Sequence, residues 1–111
     1  MLKTEIEIPS PPKGLRKRSR EFWQHINESY VLQEHHLQLL EQVCRTLDRI
    51  AENQEAIRQE GRTYVDRYGQ PKIHPCGDDE RQQRNLLIRL MRELCLDNEN
   101  PEENRSPRLK G

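Results

Sequence analysis

Apolar positions recur every three or four residues through the middle of the chain, and that spacing predicts helices. Residues 1–14 precede this region and hold Pro9, Pro11 and Pro12. Proline fixes φ and removes an amide donor, so this segment is expected to be an extended arm. From Leu15 to Glu60 there is neither glycine nor proline. Phe22, Trp23, Ile26 and Tyr30 share one face and predict a first helix over about Arg16 to Ser29. The pattern breaks at Tyr30-Val31-Leu32. A near-heptad stripe follows: Leu37, Leu40, Val43/Cys44, Leu47, Ile50/Ala51 and Ile57, interrupted at Gln54. It predicts a second helix from about Gln33 to Glu60, about 42 Å long at 1.5 Å per residue. Gly61 stands where a helix end favours a left-handed residue.

The period then changes. Thr63-Tyr64-Val65 favours a strand, Gly69 a turn, and Lys72-Ile73 a returning strand, so a small β-hairpin is expected. Pro75 or Asp78 opens a third helix that runs to about Cys95, with Asp78, Asp79 and Glu80 near its positive end. Its first half, Gly77 to Asn85, contains no apolar residue; its second carries Leu86, Leu87, Leu90, Met91 and Leu94. This pattern predicts anchoring by the C-terminal turns alone. The expected fold class is mainly α: a helical hairpin plus a small β-hairpin and a third helix. The division is an arm over 1–14, a helical domain over 15–96, and a flexible polar tail over 97–111.

Composition changes the picture in one respect. Of the 111 residues, only 32% are apolar and 34% are charged, so core material is short. That favours burying helix faces between copies and disfavours a deep apolar pocket. No apolar run is long enough to span a membrane, the arm from Met1 to Gly14 lacks an apolar signal core, and three cysteines make no disulfide framework. The reading is therefore of a soluble intracellular chain with free thiols. No phosphate-binding glycine loop, His-Glu-x-x-His or nucleophile elbow is present. His74-Pro75-Cys76 has no second close pair to complete a zinc site. The expectation is no enzyme, no metal and no cofactor.

Net charge is zero, so only local clustering can signal a polyanion. Lys13, Arg16, Lys17, Arg18 and Arg20 lie together with no acid between them. Cations at a helix N-terminus oppose the macrodipole, which argues for a purpose outside helix stability. They are the candidate nucleic-acid-binding residues, with a salt slope of about −4.5 per subunit if all five meet phosphates. The competing reading is a solvated charged face. Phe22 and Trp23 fit a buried face better than a base-stacking platform, and Cys44 fits the core better than a nucleophile. Trp23, Leu40, Leu47, Ile50, Leu87, Leu90 and Leu94 are assigned to packing within and between subunits.

One ordered set of short motifs is informative. Leu15 is followed by Trp23, then by Leu32, Leu37 and Leu40 with Cys44, and then by Glu60-Gly61. Gly69-Gln70-Pro71-Lys72-Ile73-His74-Pro75 and Arg92-Glu93-Leu94-Cys95-Leu96 come next, before Arg105-Ser106-Pro107-Arg108-Leu109. In this order and spacing the chain resembles the small subunits of tailed-bacteriophage terminases, in the group with a helical pair, a β-hairpin and a further helix. The resemblance covers about Leu15 to Leu109. It implies a non-catalytic, ring-forming subunit, in the cytoplasm of a bacterial host, encoded by a phage or prophage. It also implies partners: double-stranded phage DNA at its packaging site, and a large subunit carrying ATPase and nuclease, which the small subunit recruits and regulates. Three departures stand out. Arg16 occupies a position often held by a Ser or Thr cap, Gln33 or Glu34 must cap the second helix, and Cys95 replaces the glycine of a Leu-Gly-Leu ending.

The hairpin, Thr63 to Ile73, and the tail are candidates for assembly contacts or large-subunit docking. Three rival readings are a small helical DNA-binding regulator, a protein-only assembly adaptor and a metal-dependent nuclease. The glycine-free stretch from Leu15 to Glu60 disfavours a helix-turn-helix regulator.

Overall fold

A computed structural model describes residues 8–61, 63–96 and 107–110. Three helices dominate it: α1 (Lys17–Ser29), α2 (Glu34–Glu60) and α3 (Pro75–Leu94). Four short strands accompany them: β1 (Tyr30–Val31), β2 (Thr63–Val65), β3 (Pro71–Ile73) and β4 (Arg108–Leu109). β2 and β3 form the expected antiparallel hairpin, with Thr63 opposite Ile73 and Val65 opposite Pro71. The mainly helical architecture with a small hairpin is the one the sequence pattern predicts.

α2 is the spine. It lacks a Ser, Thr, Asp or Asn cap, and Gln33 with His36 supplies a reciprocal one. The Gln33 side chain receives the His36 amide, and His36 Nδ1 accepts from Gln33 N–H at 3.1 Å. At the other end Gly61 has φ 85° and ψ 164°, so φ is positive but the backbone is extended, not left-handed helical. Gly61 N–H still closes on Ile57 O at 2.6 Å.

The apolar core lies toward the N-terminal half of α2. Leu15, Trp23, Ile26, Leu40, Cys44 and Leu94 form its buried cluster, with Phe22, Tyr30, Leu37 and Leu96 packed against it. Val43, Ile50 and Leu90 are also buried, whereas Leu47 and Leu87 are half-buried. α3 runs antiparallel to α2: Leu94 shares the core with Leu40, Asp79 meets Arg49 and Asn53, and His74 meets Glu60.

Those last contacts correct one expectation. α3 is not anchored by its C-terminal turns alone. Asp79 accepts from Arg49 Nε at 2.8 Å and from Asn53 Nδ2 at 2.7 Å. The Arg49 bond comes first, then Asn53, in holding its carboxyl below the usual aspartate range. The sign follows: this contribution to stability is full at neutral pH and is lost as pH falls through that lowered value. His74 caps the same helix end, its Nδ1 accepting from Cys76 N–H at 3.0 Å while Nε2 lies 2.5 Å from Glu60 Oε2. Hydrophobic periodicity cannot register such polar anchors.

The tail expected from residue 97 falls outside the described residues over 97–106. Residues 107–110 return to the end of α1. β4 pairs with β1, Tyr30 opposite Leu109, and Lys110 N–H donates to Ser29 O at 2.8 Å. Lys110 Nζ bonds Asn27 O, placing a cation at the negative end of a helix whose own last turn has none.

Cys95 explains the missing glycine. It caps α3 in the left-handed conformation, φ 53° and ψ 47°, and its N–H reaches Met91 O at 3.1 Å. A side chain there costs about 1–2 kcal/mol, which glycine avoids. Cys95→Gly is therefore expected to stabilise the fold by about 1 kcal/mol, read as a higher urea midpoint at unchanged m-value. A lower midpoint would show that the Cys95 Sγ bond to Arg92 O, at 2.8 Å, outweighs the backbone strain.

Candidate nucleic-acid interface

The cationic cluster sits at a reversal of the chain. Gly14, with φ 87°, turns the arm back along α1, and Trp23 Nε1 pins it by donating to Pro9 O at 2.9 Å. Trp23 is thus buried and engaged, with its indole N–H satisfied inside the fold.

α1 begins with no acid in its first turn and no side-chain cap of its own. Arg16 occupies the cap position, and the missing acceptor comes from α2. Asp48 Oδ2 accepts from Arg16 N–H at 2.9 Å, and Asp48 Oδ1 accepts from Ser19 Oγ at 2.6 Å. Ser19 and Asp48 are both buried. A carboxylate at this end offsets both the helix dipole and the neighbouring cations. The Cys44 thiol lies beside it and donates to Ser19 O at 3.5 Å. Burial pushes this thiol up to about 12, so it stays protonated and chemically quiet.

The five cations divide into two groups. Arg16 is half-buried, and its guanidinium bonds Glu55 at 3.1 and 3.4 Å, which raises its pKa and lowers that of Glu55. Arg20 is exposed, yet its Nη1 donates to Leu15 O at 2.5 Å. Lys13, Lys17 and Arg18 are exposed and enter no ion pair among the described residues. A further cation joins from α2: Arg45 Nη1 lies 3.4 Å from Lys13 O, while its Nε holds Glu41 at 3.0 Å. No local run could reveal Arg45, because it is 32 residues from Lys13 and reaches it only through helix pairing.

Elsewhere the surface offers shallow grooves. One of about 370 Å³ is lined by Ile57, Ile73, Gly77 and Arg81, among others. Among the described residues no group of three or more His, Cys, Asp or Glu is placed to hold a metal ion. His74 and Cys76 meet through the helix cap. No helix among them is long and apolar enough to cross a membrane.

The architecture is that of three helices with a small β-hairpin, the third helix running back along the second. A family model described as phage terminase, small subunit, matches residues 16–106, and the chain belongs to that family. Membership places it in phage packaging machinery, where the small subunit is generally the non-catalytic one. Neither the curated proteins nor the solved structures contain a match.

The geometry separates structural from available polar groups on one helix turn. Ser19→Ala is expected to destabilise the protein by about 2 kcal/mol, because it leaves a buried Asp48 oxygen without its donor. Lys17→Ala, one turn face away, is expected to change stability by less than about 0.5 kcal/mol. Thermal unfolding of both variants measures the difference, and equal losses would contradict this assignment.

Proposed function

We propose that the chain binds the packaging site of double-stranded phage DNA as a ring of several copies, and that it recruits and regulates the large ATPase-nuclease subunit. The observation that carries the DNA reading is the open cationic turn: Lys13, Lys17 and Arg18 are exposed and have no ion-pair partner among the described residues, while a buried Asp48 stabilises the helix end that presents them. Arg16 and Arg20 are tied to Glu55 and Leu15, so they support this surface more than they contact phosphate. Three open cations imply a salt slope of about −2.7 per subunit, in place of the −4.5 expected for five.

Repetition around a ring turns a weak site into a strong one, because each copy adds contacts at high effective concentration. The apolar shortage favours such an assembly. So does the β2–β3 hairpin, where Tyr64, Val65, Tyr68 and Ile73 are all exposed. These side chains suit a surface that another subunit covers.

Duplex retention across a salt series tests the reading. The Lys13→Ala/Lys17→Ala/Arg18→Ala variant is expected to bind weakly at low salt and to show a flattened slope. The Arg16→Ala/Arg20→Ala variant should alter the slope far less. An unchanged slope in the triple variant would sink the assignment of the site to this turn.

A further inference from the structure

The outer face of α3 has a composition that a solvated helix does not require. Between Glu80 and Glu93 there are four arginines, no lysine and no acid. Leu90 and Leu94 are buried on the inner side, where α3 packs on α2. The opposite side carries Arg81, Asn85, Ile88 and Arg92 at spacings of four, three and four, with Gln82 and Arg89 beside them. All six are exposed, and Ile88 is 56% accessible. Arg81 bonds Asp78 at 2.5 Å, Gln82 donates to the same carboxylate at 3.3 Å and Arg84 bonds Glu80 at 2.7 Å, whereas Arg89 and Arg92 have no ion-pair partner among the described residues.

An exposed helix face usually mixes both signs of charge in supporting i, i+4 pairs. Here such pairs occupy only the first turns, and from Asn85 to Arg92, about 11 Å at 1.5 Å per residue, the face carries Arg89 and Arg92 without them. Its charge complements a polyanion, and its side-chain types match base edges. Arginine pairs with guanine O6 and N7, asparagine and glutamine with adenine N6 and N7, and an apolar side chain meets the thymine methyl. A major groove about 12 Å wide admits one α-helix. Ile88, exposed amid arginines, has no use against phosphate and fits a thymine methyl.

We propose that this face of α3 enters the major groove of duplex DNA and reads its sequence, while Lys13, Lys17 and Arg18 contact phosphates. The inference rests on the reading of the chain as a duplex-binding subunit. It divides the work as base contacts and phosphate contacts generally divide it: the former specify and the latter position.

The test uses the full chain and a duplex pool with a randomised central window, selected by retention and then sequenced. The wild type is expected to enrich a short motif. Asn85→Ala/Arg89→Ala/Arg92→Ala should retain DNA but lose the motif, by about tenfold discrimination for each base-reading side chain removed. Arg89→Lys/Arg92→Lys keeps the charge and loses the planar fork, so it should also lose the motif while folding normally. Lys17→Ala/Arg18→Ala should enrich the same motif at lower overall retention. If the α3 variants enrich the wild-type motif, or the wild type retains DNA with no motif, the α3 proposal is overturned and the duplex reading survives. If the α3 variants lower the native mass of the protein, the face belongs to subunit contact and the proposal is equally overturned. If the wild type retains no duplex at all, the duplex reading falls, and the proposal with it.

Discussion

The fold depends on a carboxylate placed in a second helix. α1 starts with Arg16, Lys17 and Arg18 and has no acid of its own in that turn, so alone it would begin with charges of the wrong sign. Asp48 supplies the correction from α2. It accepts from the Arg16 amide and the Ser19 hydroxyl and is buried between the two helices. The same contact does two things. It docks α1 onto α2, and it lets the first turn keep exposed cations. Lys110 completes the arrangement at the other end by bonding Asn27 O. α1 therefore takes both of its terminal counter-charges from distant parts of the chain.

A similar logic holds α2 to α3. The apolar core covers only one end of that pair, around Leu40, Cys44 and Leu94. Beyond it, Asp79 with Arg49 and Asn53, then His74 with Glu60, continue the contact. Hydrogen bonds to charged groups replace apolar area that the sequence does not supply. Their strength falls with exposure, and Arg49 is largely exposed, so this end is the weaker one. It also carries the exposed apolar hairpin, which ties the lean core to the expectation of burial between subunits.

The helices were legible in the sequence because their apolar spacing is local. Leu37, Leu40, Val43, Leu47 and Ile50 mark α2 without reference to anything else, and the observed ends lie within a residue or two of those expected. The pairings that orient the helices were not legible. Ser19 with Asp48 and Arg49 with Asp79 are 29 and 30 residues apart and leave no periodic trace. The same limit applies to the candidate site. The run from Lys13 to Arg20 was visible as charge, but its division into open and engaged cations depends on Glu55 and the Leu15 carbonyl. Gly61 shows a finer miss: a positive φ was foreseeable from the glycine, whereas its extended ψ of 164° was not. The arginine row of α3 was present in the sequence throughout. It became informative only once Leu90 and Leu94 fixed which side of the helix faces inward.

The central claim is that Asp48 holds α1 in place locally, as the acceptor for a helix start that has none. Amide hydrogen exchange on Asp48→Ala, compared with wild type, tests it most directly. The account predicts lost protection across residues 17–29 with protection retained over the facing halves of α2 and α3. Unchanged protection in α1, or a uniform loss across all three helices, would contradict it.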